Sequence, residues 1–180
     1  MNDVDLLKQW QPRFDSWKES SIPLVLQGRA KEAFQSYPWF RAERGALVSL
    51  PRPVSDTRVA VISTAGYSIE GEQAPFDLLI PFHGGEPEIR PIPYAVDRSR
   101  LRIDHPGYDH RFADRDINVN LPLDRMRELE NGGRLGSLAD PVQVLMGLIP
   151  DVAALLTSTV PQLVESLKND GAEAVVLVPS

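Results

Sequence analysis

The chain has 180 residues, a formal net charge of −6, 42% hydrophobic residues and 24% charged residues; this fits one globular domain, or one domain with an arm, and excludes a disordered or fibrous chain. The 25 acidic against 19 basic residues argue against a general nucleic-acid or anionic-membrane binder, and zero cysteines rule out disulfides, thiolate metal sites and cysteine nucleophiles within these residues. No apolar run approaches the roughly 18 to 20 residues of a membrane span, and the opening MNDVDLLKQW is too acidic and polar for a secretory signal, so a cytoplasmic location is expected.

Residues 3–19 predict a helix, because Val4, Leu7, Trp10, Phe14 and Trp17 recur at three- and four-residue steps on one stripe. Pro12 interrupts that stripe and is expected to kink or split the helix. An aromatic cluster follows (Phe34, Tyr37, Trp39, Phe40), then the proline-rich LPRPVSD at 50–56. The cluster reads as packing of an N-terminal arm onto the domain or a partner, or alternatively as an aromatic ligand pocket. The arm takes residues 1–57, and an α/β domain takes 58–180.

RVAVIS at 58–63 is rich in β-branched residues and opens into Thr64-Ala65-Gly66, the pattern of a buried strand entering a glycine-containing loop. DLLIPF at 77–82 and EIRPI at 88–92 read as short strands that Pro81, Pro91 and Pro93 confine to edges or extended segments. Leu101–Ile103 reads as a further strand. Asn120 and Pro122 begin a helix through about Glu130, with Asn120 as its cap and Gly132-Gly133 as its close. Thr159 with Gln162 forms a capping-box pattern, Pro161 suits a first turn, Leu163, Val164 and Leu167 give the apolar stripe, and Gly171 is the expected residue past the helix end. AVVLV at 174–178 then reads as a fully buried strand. A helix, a glycine loop and an apolar strand are the second half of a βαβ unit, so the expected fold is α/β: a mainly parallel sheet in a layered sandwich with an N-terminal helical arm.

The chemistry-bearing residues crowd one stretch. RIDHPGYDHRFADRDINVN, residues 102–120, holds His105, Tyr108, Asp109, His110, Asp114, Asp116, Asn118 and Asn120 beside Arg102, Arg111 and Arg115. It follows a predicted strand, and loops at the carboxyl ends of parallel strands line ligand crevices. One reading is a substrate pocket, with histidine for proton transfer, arginine for a carboxylate, and aspartate and asparagine for an amine. Ser63 and Thr64 join it, since backbone amides of the loop at 63–66 can receive a carboxylate or phosphate. The other reading is a polar loop whose Asp and Asn side chains cap turns and helix ends. His105, Asp109 and His110 also offer metal ligands, although their spacing is no specific signature. No glycine-rich nucleotide motif is present, and Ser180 has no identifiable base.

These segments resemble the selenoprotein B family of glycine, sarcosine, betaine and D-proline reductases. The resemblance rests on RVAVISTAG (58–66), EQAPFD (72–77), LRIDHPGYDH (101–110), DINVNLPLDRMREL (116–129), GSLAD (136–140) and DGAEAVVLVPS (170–180), in that order. It implies reductive cleavage of a C–N bond in a small amino acid or derivative: a selenocysteine, or a cysteine in variants, attacks the carbon next to the carboxylate and displaces the amine. It also implies a substrate-pocket role for His105, Tyr108, Asp109, His110, Asp116 and Asn118. In the family the nucleophile stands just past the last apolar strand, in a context like V-P-x. Here Val178-Pro179-Ser180 fills that context, so the selenocysteine is expected directly after Ser180, encoded by a UGA codon, and these 180 residues hold no nucleophile of their own.

The resemblance further implies an amino-acid-like substrate and assembly with other reductase subunits or with itself. Other readings are a non-catalytic small-ligand-binding or assembly subunit, and a metal-dependent enzyme using His105, Asp109 and His110. No separate cofactor is indicated. His105, Asp109 and His110 are expected to meet the 63–66 loop in one cleft at the carboxyl edge of the sheet.

Overall fold

A computed structural model describes residues 3–41, 48–77 and 85–180. The strand expected at 77–82 and His83 lie outside the described residues, apart from Asp77, which is in no strand.

The sheet is built around β1 (Arg58–Ser63), whose alternating side chains feed two cores. Val59 and Val61 enter one core; Ala60 and Ile62 enter the other. Along one side β1 pairs in parallel first with β5 (Ser137–Leu138) and then with β6 (Val142–Val144). Along its other side it pairs in parallel with β7 (Ala174–Val178), from Val59↔Ala174 to Ser63↔Val178. An antiparallel strand, β3 (Arg90–Ile92), adds to β6 as an edge, which accommodates Pro91. The sheet is therefore mainly parallel, and the α/β class expected from the sequence is the one observed.

The first core lies under α3 (Leu123–Asn131) and a two-stranded antiparallel ribbon of β2 (Tyr67–Ile69) and β4 (Leu101–Ile103). Ile92, Leu121, Leu123, Val142 and Val144 fill it. The second core forms where α4 (Val160–Asn169) lays Leu163 and Leu167 on Ala60 and Ala139. Each such leucine contributes about 1.5–3 kcal/mol by leaving water, and the alanines beneath let the helix approach the sheet closely.

The arm begins with α1 (Asp3–Leu26), which runs unbroken through Pro12 and Pro23. Pro12 therefore does not split the helix. Pro12 and Lys8, the residue whose carbonyl loses its amide partner there, both lie on the exposed face, so solvent can take up the lost bond. On the opposite face Trp10, Phe14 and Trp17 are buried with Tyr37, offsetting the roughly 3 kcal/mol of an interior proline. The short α2 (Ala30–Gln35) returns along α1, where Trp17 Nε1 donates to Ala33 O at 2.8 Å. The aromatic cluster docks on the domain: Val152, Ala153 and Leu156 pack against it, and the Tyr37 hydroxyl donates to Pro150 O at 2.7 Å.

Two further expectations need correction. The turn Val152–Ala154 is capped by Asp151, which accepts from Ala153 N at 3.0 Å, and leads through a π-helical stretch, Leu155–Thr159, directly into α4. Thr159 thus already lies inside helical backbone, and its hydroxyl donates to Pro87 O at 2.8 Å instead of capping. Gly171, at φ +76°, does end α4 as expected. The strand β7 is not fully buried: Val175 is 43% and Leu177 69% exposed. Among the described residues it pairs only with β1, and α4 covers Ala60 and Ala139 rather than this outer strand. No helix among the described residues is long and apolar enough to cross a membrane.

Candidate functional site

The carboxyl ends of the strands gather around residues 63–66. Thr64 N–H donates to Val178 O at 3.0 Å, Leu145 N–H to Ser63 O at 2.9 Å, and Gly66 N–H to Leu145 O at 3.0 Å. Asp104 N–H donates to Gly66 O at 2.9 Å, which brings in the loop that follows β4. Gly66 is required twice over. Its φ is +67°, and a Cβ there would stand 2.9 Å from the His105 Cβ. A side chain at 66 would push the histidine loop off the end of β1.

His105 is 5% exposed. Its Nδ1 accepts the Gly107 N–H at 2.9 Å, so the neutral ring carries its proton on Nε2. Burial, reinforced by the neighbouring His110, holds its pKa below the ordinary imidazole value and favours that neutral form. Nε2 has no hydrogen-bonding partner among the described residues and packs against Gly147. A Cβ on Gly147 would lie 2.9 Å from Nε2, 2.9 Å from Thr64 O and 3.2 Å from Ser180 O. Gly147 is exposed, and the three polar atoms crowd against it at the protein surface. One N–H donor and two backbone oxygen acceptors thus converge on Gly147, where the strand β7 also delivers Ser180. Such a set can donate to an anion and accept from an ammonium group.

Behind His105 lies a hydrogen-bonded frame. The Tyr108 ring packs between His105 and His110, with centroids 5.0 Å and 4.6 Å away. His110 Nε2–H donates to His105 O at 2.7 Å. The Tyr108 hydroxyl donates to Ala65 O at 3.2 Å and accepts from Asn120 Nδ2 at 2.8 Å. Asn120 Oδ1 accepts from the Tyr67 hydroxyl at 2.9 Å, and its main-chain O accepts from Ser63 Oγ at 2.6 Å. Burial pushes the Tyr108 phenol up to about 12 and raises Tyr67 as well, so both stay protonated.

Asn120 is therefore not the helix cap that its position before Pro122 suggests. The cap role belongs to Asn118, whose Oδ1 accepts from Asp124 N at 2.9 Å and Arg125 N at 3.3 Å. No local sequence pattern marks Asn120, because its partners Tyr67 and Ser63 are distant along the chain.

Of the candidate residues, the fold brings Ser63, Thr64, His105, Tyr108 and His110 together. Ser63 is buried with its hydroxyl engaged by Asn120 O, while Thr64 Oγ1 accepts from Ser180 N at 3.0 Å. Asp109 is instead held by its neighbour Arg111, Nε to Oδ2 2.7 Å, and that pairing lowers its pKa. Asp116 accepts from Asn118 N at 2.9 Å and Nδ2 at 2.8 Å, forming the turn ahead of α3. His105, Asp109 and His110 do not converge as metal ligands: the His110 Nε2 is spent on a carbonyl and Asp109 faces Arg111. Among the described residues no group of three His, Asp or Glu is arranged to hold a metal ion.

Comparison with known proteins adds an independent line. Residues 88–180 match the glycine/sarcosine/betaine reductase selenoprotein B family. The chain is 30% identical over 127 residues to the D-proline reductase subunit gamma of Acetoanaerobium sticklandii, an alignment covering 70% of this chain and 50% of that protein. The chain thus spans about half the length of the curated relative it matches. No solved structure matches it.

Proposed function

The chain belongs to the glycine/sarcosine/betaine reductase selenoprotein B family, and from that membership we propose that it is the substrate-facing unit of a reductase that cleaves the C–N bond of a small amino acid or its N-substituted derivative. The carrying observation is the meeting of His105 Nε2, Thr64 O and Ser180 O at Gly147. The backbone oxygens of Thr64 and Ser180 offer two acceptors to a substrate amine, and His105 Nε2–H offers one donor to the attacking anion beside them. Where the substrate amine bears N–H, as in glycine or sarcosine, the carbonyls of Thr64 and Ser180 receive it.

The nucleophile that the family resemblance implies, a selenocysteine or cysteine directly after Ser180, would be carried on the strand β7 toward the same point beside His105. In the displacement, a lone pair on its anion forms the bond to the carbon next to the carboxylate. The C–N bond breaks, and the amine leaves with the bonding pair. His105 is suited to donate its Nε2–H to the anion before attack, since a neutral imidazole in a partly desolvated site makes a strong directed donor. Further subunits of a cytoplasmic complex would supply the reducing step.

Titration of the 15N-labelled chain with glycine, sarcosine, betaine and D-proline tests this reading. The expected result is saturable shifts of the Gly66, Gly107 and Gly147 amides with at least one of these ligands, lost in His105→Ala. Shifts confined to the α1–α2 arm, or none at all, would overturn it.

A further inference from the structure

We propose that Asn120 is the positioning residue of this site, acting through the Tyr108 hydroxyl to hold the His105 ring at the carboxyl end of β1. The inference rests on the reading of His105 as the donor at the site and extends it to a residue that hydrogen-bonds neither His105 nor Ser180.

The direction of every bond in the frame is forced. An amide oxygen can only accept, so the Tyr67 hydroxyl donates to Asn120 Oδ1. An amide nitrogen can only donate, so the Tyr108 hydroxyl accepts from Nδ2 and is left to donate to Ala65 O. Turning the amide over would leave Ala65 O without the Tyr108 proton and would give the Tyr67 proton no acceptor in the frame. One orientation alone satisfies the set, and it ties together three separate pieces of chain: the 63–67 segment between β1 and β2, the loop at Tyr108, and the segment that carries Asn120 itself.

Asn120 sits at the junction with 4% of its surface exposed. A buried amide is costly unless its donors and acceptor are matched, which makes the junction rigid when complete and vulnerable when one member is lost. The Tyr108 ring stands against both histidine rings, so the anchor on its hydroxyl is also the anchor on the His105 face. His105 then needs only the Gly107 N–H on Nδ1 to present Nε2–H outward. Leucine or alanine at 120 could not carry the two opposite hydrogen bonds that hold Tyr108 in register with Tyr67.

Ring nitrogen spectra of the 15N-histidine-labelled chain test this directly, because the protein has only 3 histidines. In the native chain the expected pattern for His105 is a single Nε2–H tautomer with widely separated nitrogen shifts, together with a protected Gly107 amide. In Asn120→Ala the two nitrogen shifts should move toward each other, and Gly107 exchange should accelerate about tenfold, the scale of one net hydrogen bond. Tyr108→Phe keeps the ring and removes only its hydroxyl; it should move the same signals in the same direction, and it decides the matter if Asn120→Ala does not fold. A folded variant of either kind with unchanged His105 nitrogens and unchanged Gly107 exchange overturns the proposal. The readout needs neither substrate nor turnover, so it can fail while ligands still bind at Gly147, and it can succeed while the reductase reading fails.

Discussion

Replacing Gly147 with alanine inserts one methyl group at the point where the site is narrowest. The new Cβ would meet His105 Nε2 and Thr64 O at 2.9 Å and Ser180 O at 3.2 Å, separations that ordinary Cβ contacts do not reach. Gly147 is not among the glycines with positive φ, so the backbone accepts alanine and the effect is steric. Ser180 is exposed and can yield. Thr64 O belongs to the backbone leaving β1, and His105 is fixed on its far side by Gly107, so neither can move freely. Overpacking of this kind costs about 1–3 kcal/mol, against about 0.4–1 kcal/mol returned by the stiffer unfolded chain. A net loss of up to about 2.6 kcal/mol follows, about 1.3 kcal/mol at mid-range, equivalent at a urea m-value of about 2 kcal/mol/M to a midpoint lowered by about 0.6 M. Urea unfolding at constant m, with the His105 ring nitrogens recorded in parallel, measures both consequences. An unchanged or higher midpoint with unmoved His105 signals would show that Gly147 is not packed against His105 as described.

The pH dependence of stability should carry a His105 component. Its folded pKa lies below that of the unfolded chain, about 6.5, so the unfolded state binds more protons between the two values; this contribution is full above the unfolded value and lost as pH falls through the folded one. Urea midpoints measured from pH 8 to 5 should therefore fall less steeply in His105→Gln than in the native chain; parallel curves would contradict this. Arg90 is buried with Glu86, also pairs with Glu88 and lies over the Phe76 ring, so Arg90→Met should strand the Glu86 carboxylate and cost about 3–5 kcal/mol in chemical denaturation. A loss under about 1 kcal/mol would mean that Glu86 finds another partner or water. Tyr37→Phe removes the donation to Pro150 O and should cost about 1 kcal/mol while leaving the His105 signals unchanged; movement of those signals would couple the arm to the site.

The local pattern carried much of the fold. RVAVIS, the helix closed by Gly132 and the helix closed by Gly171 each depend on a few neighbouring residues, and each appears where its pattern places it. What escaped the sequence depends on distant partners. AVVLV has the composition of a buried strand, yet its exposure is decided by where it joins the sheet, beside β1 with nothing paired to its outer edge among the described residues. Thr159 carries a capping pattern that the upstream π-helical stretch overrides. Pro12 is tolerated because three aromatic residues on the opposite face hold α1 to its neighbours. The site was legible as a stretch and only partly as a geometry. His105, Tyr108 and His110 cluster at the end of β1, whereas Asp109 and Asn118 serve an ion pair and a helix cap, and the buried role of Asn120 required Tyr67 and Ser63 to be seen beside it.

The central claim is that a nucleophile placed directly after Ser180 would stand where His105 stabilises its anion. The chain contains no cysteine, so a single cysteine added after Ser180 reports on that position without interference. Its alkylation rate as a function of pH gives the thiol pKa in the folded chain, in His105→Ala and in urea. The account predicts a thiol pKa below the about 8.5 of a free cysteine in the folded chain, returning toward that value in both controls. An equal pKa in the folded chain and in His105→Ala would contradict it.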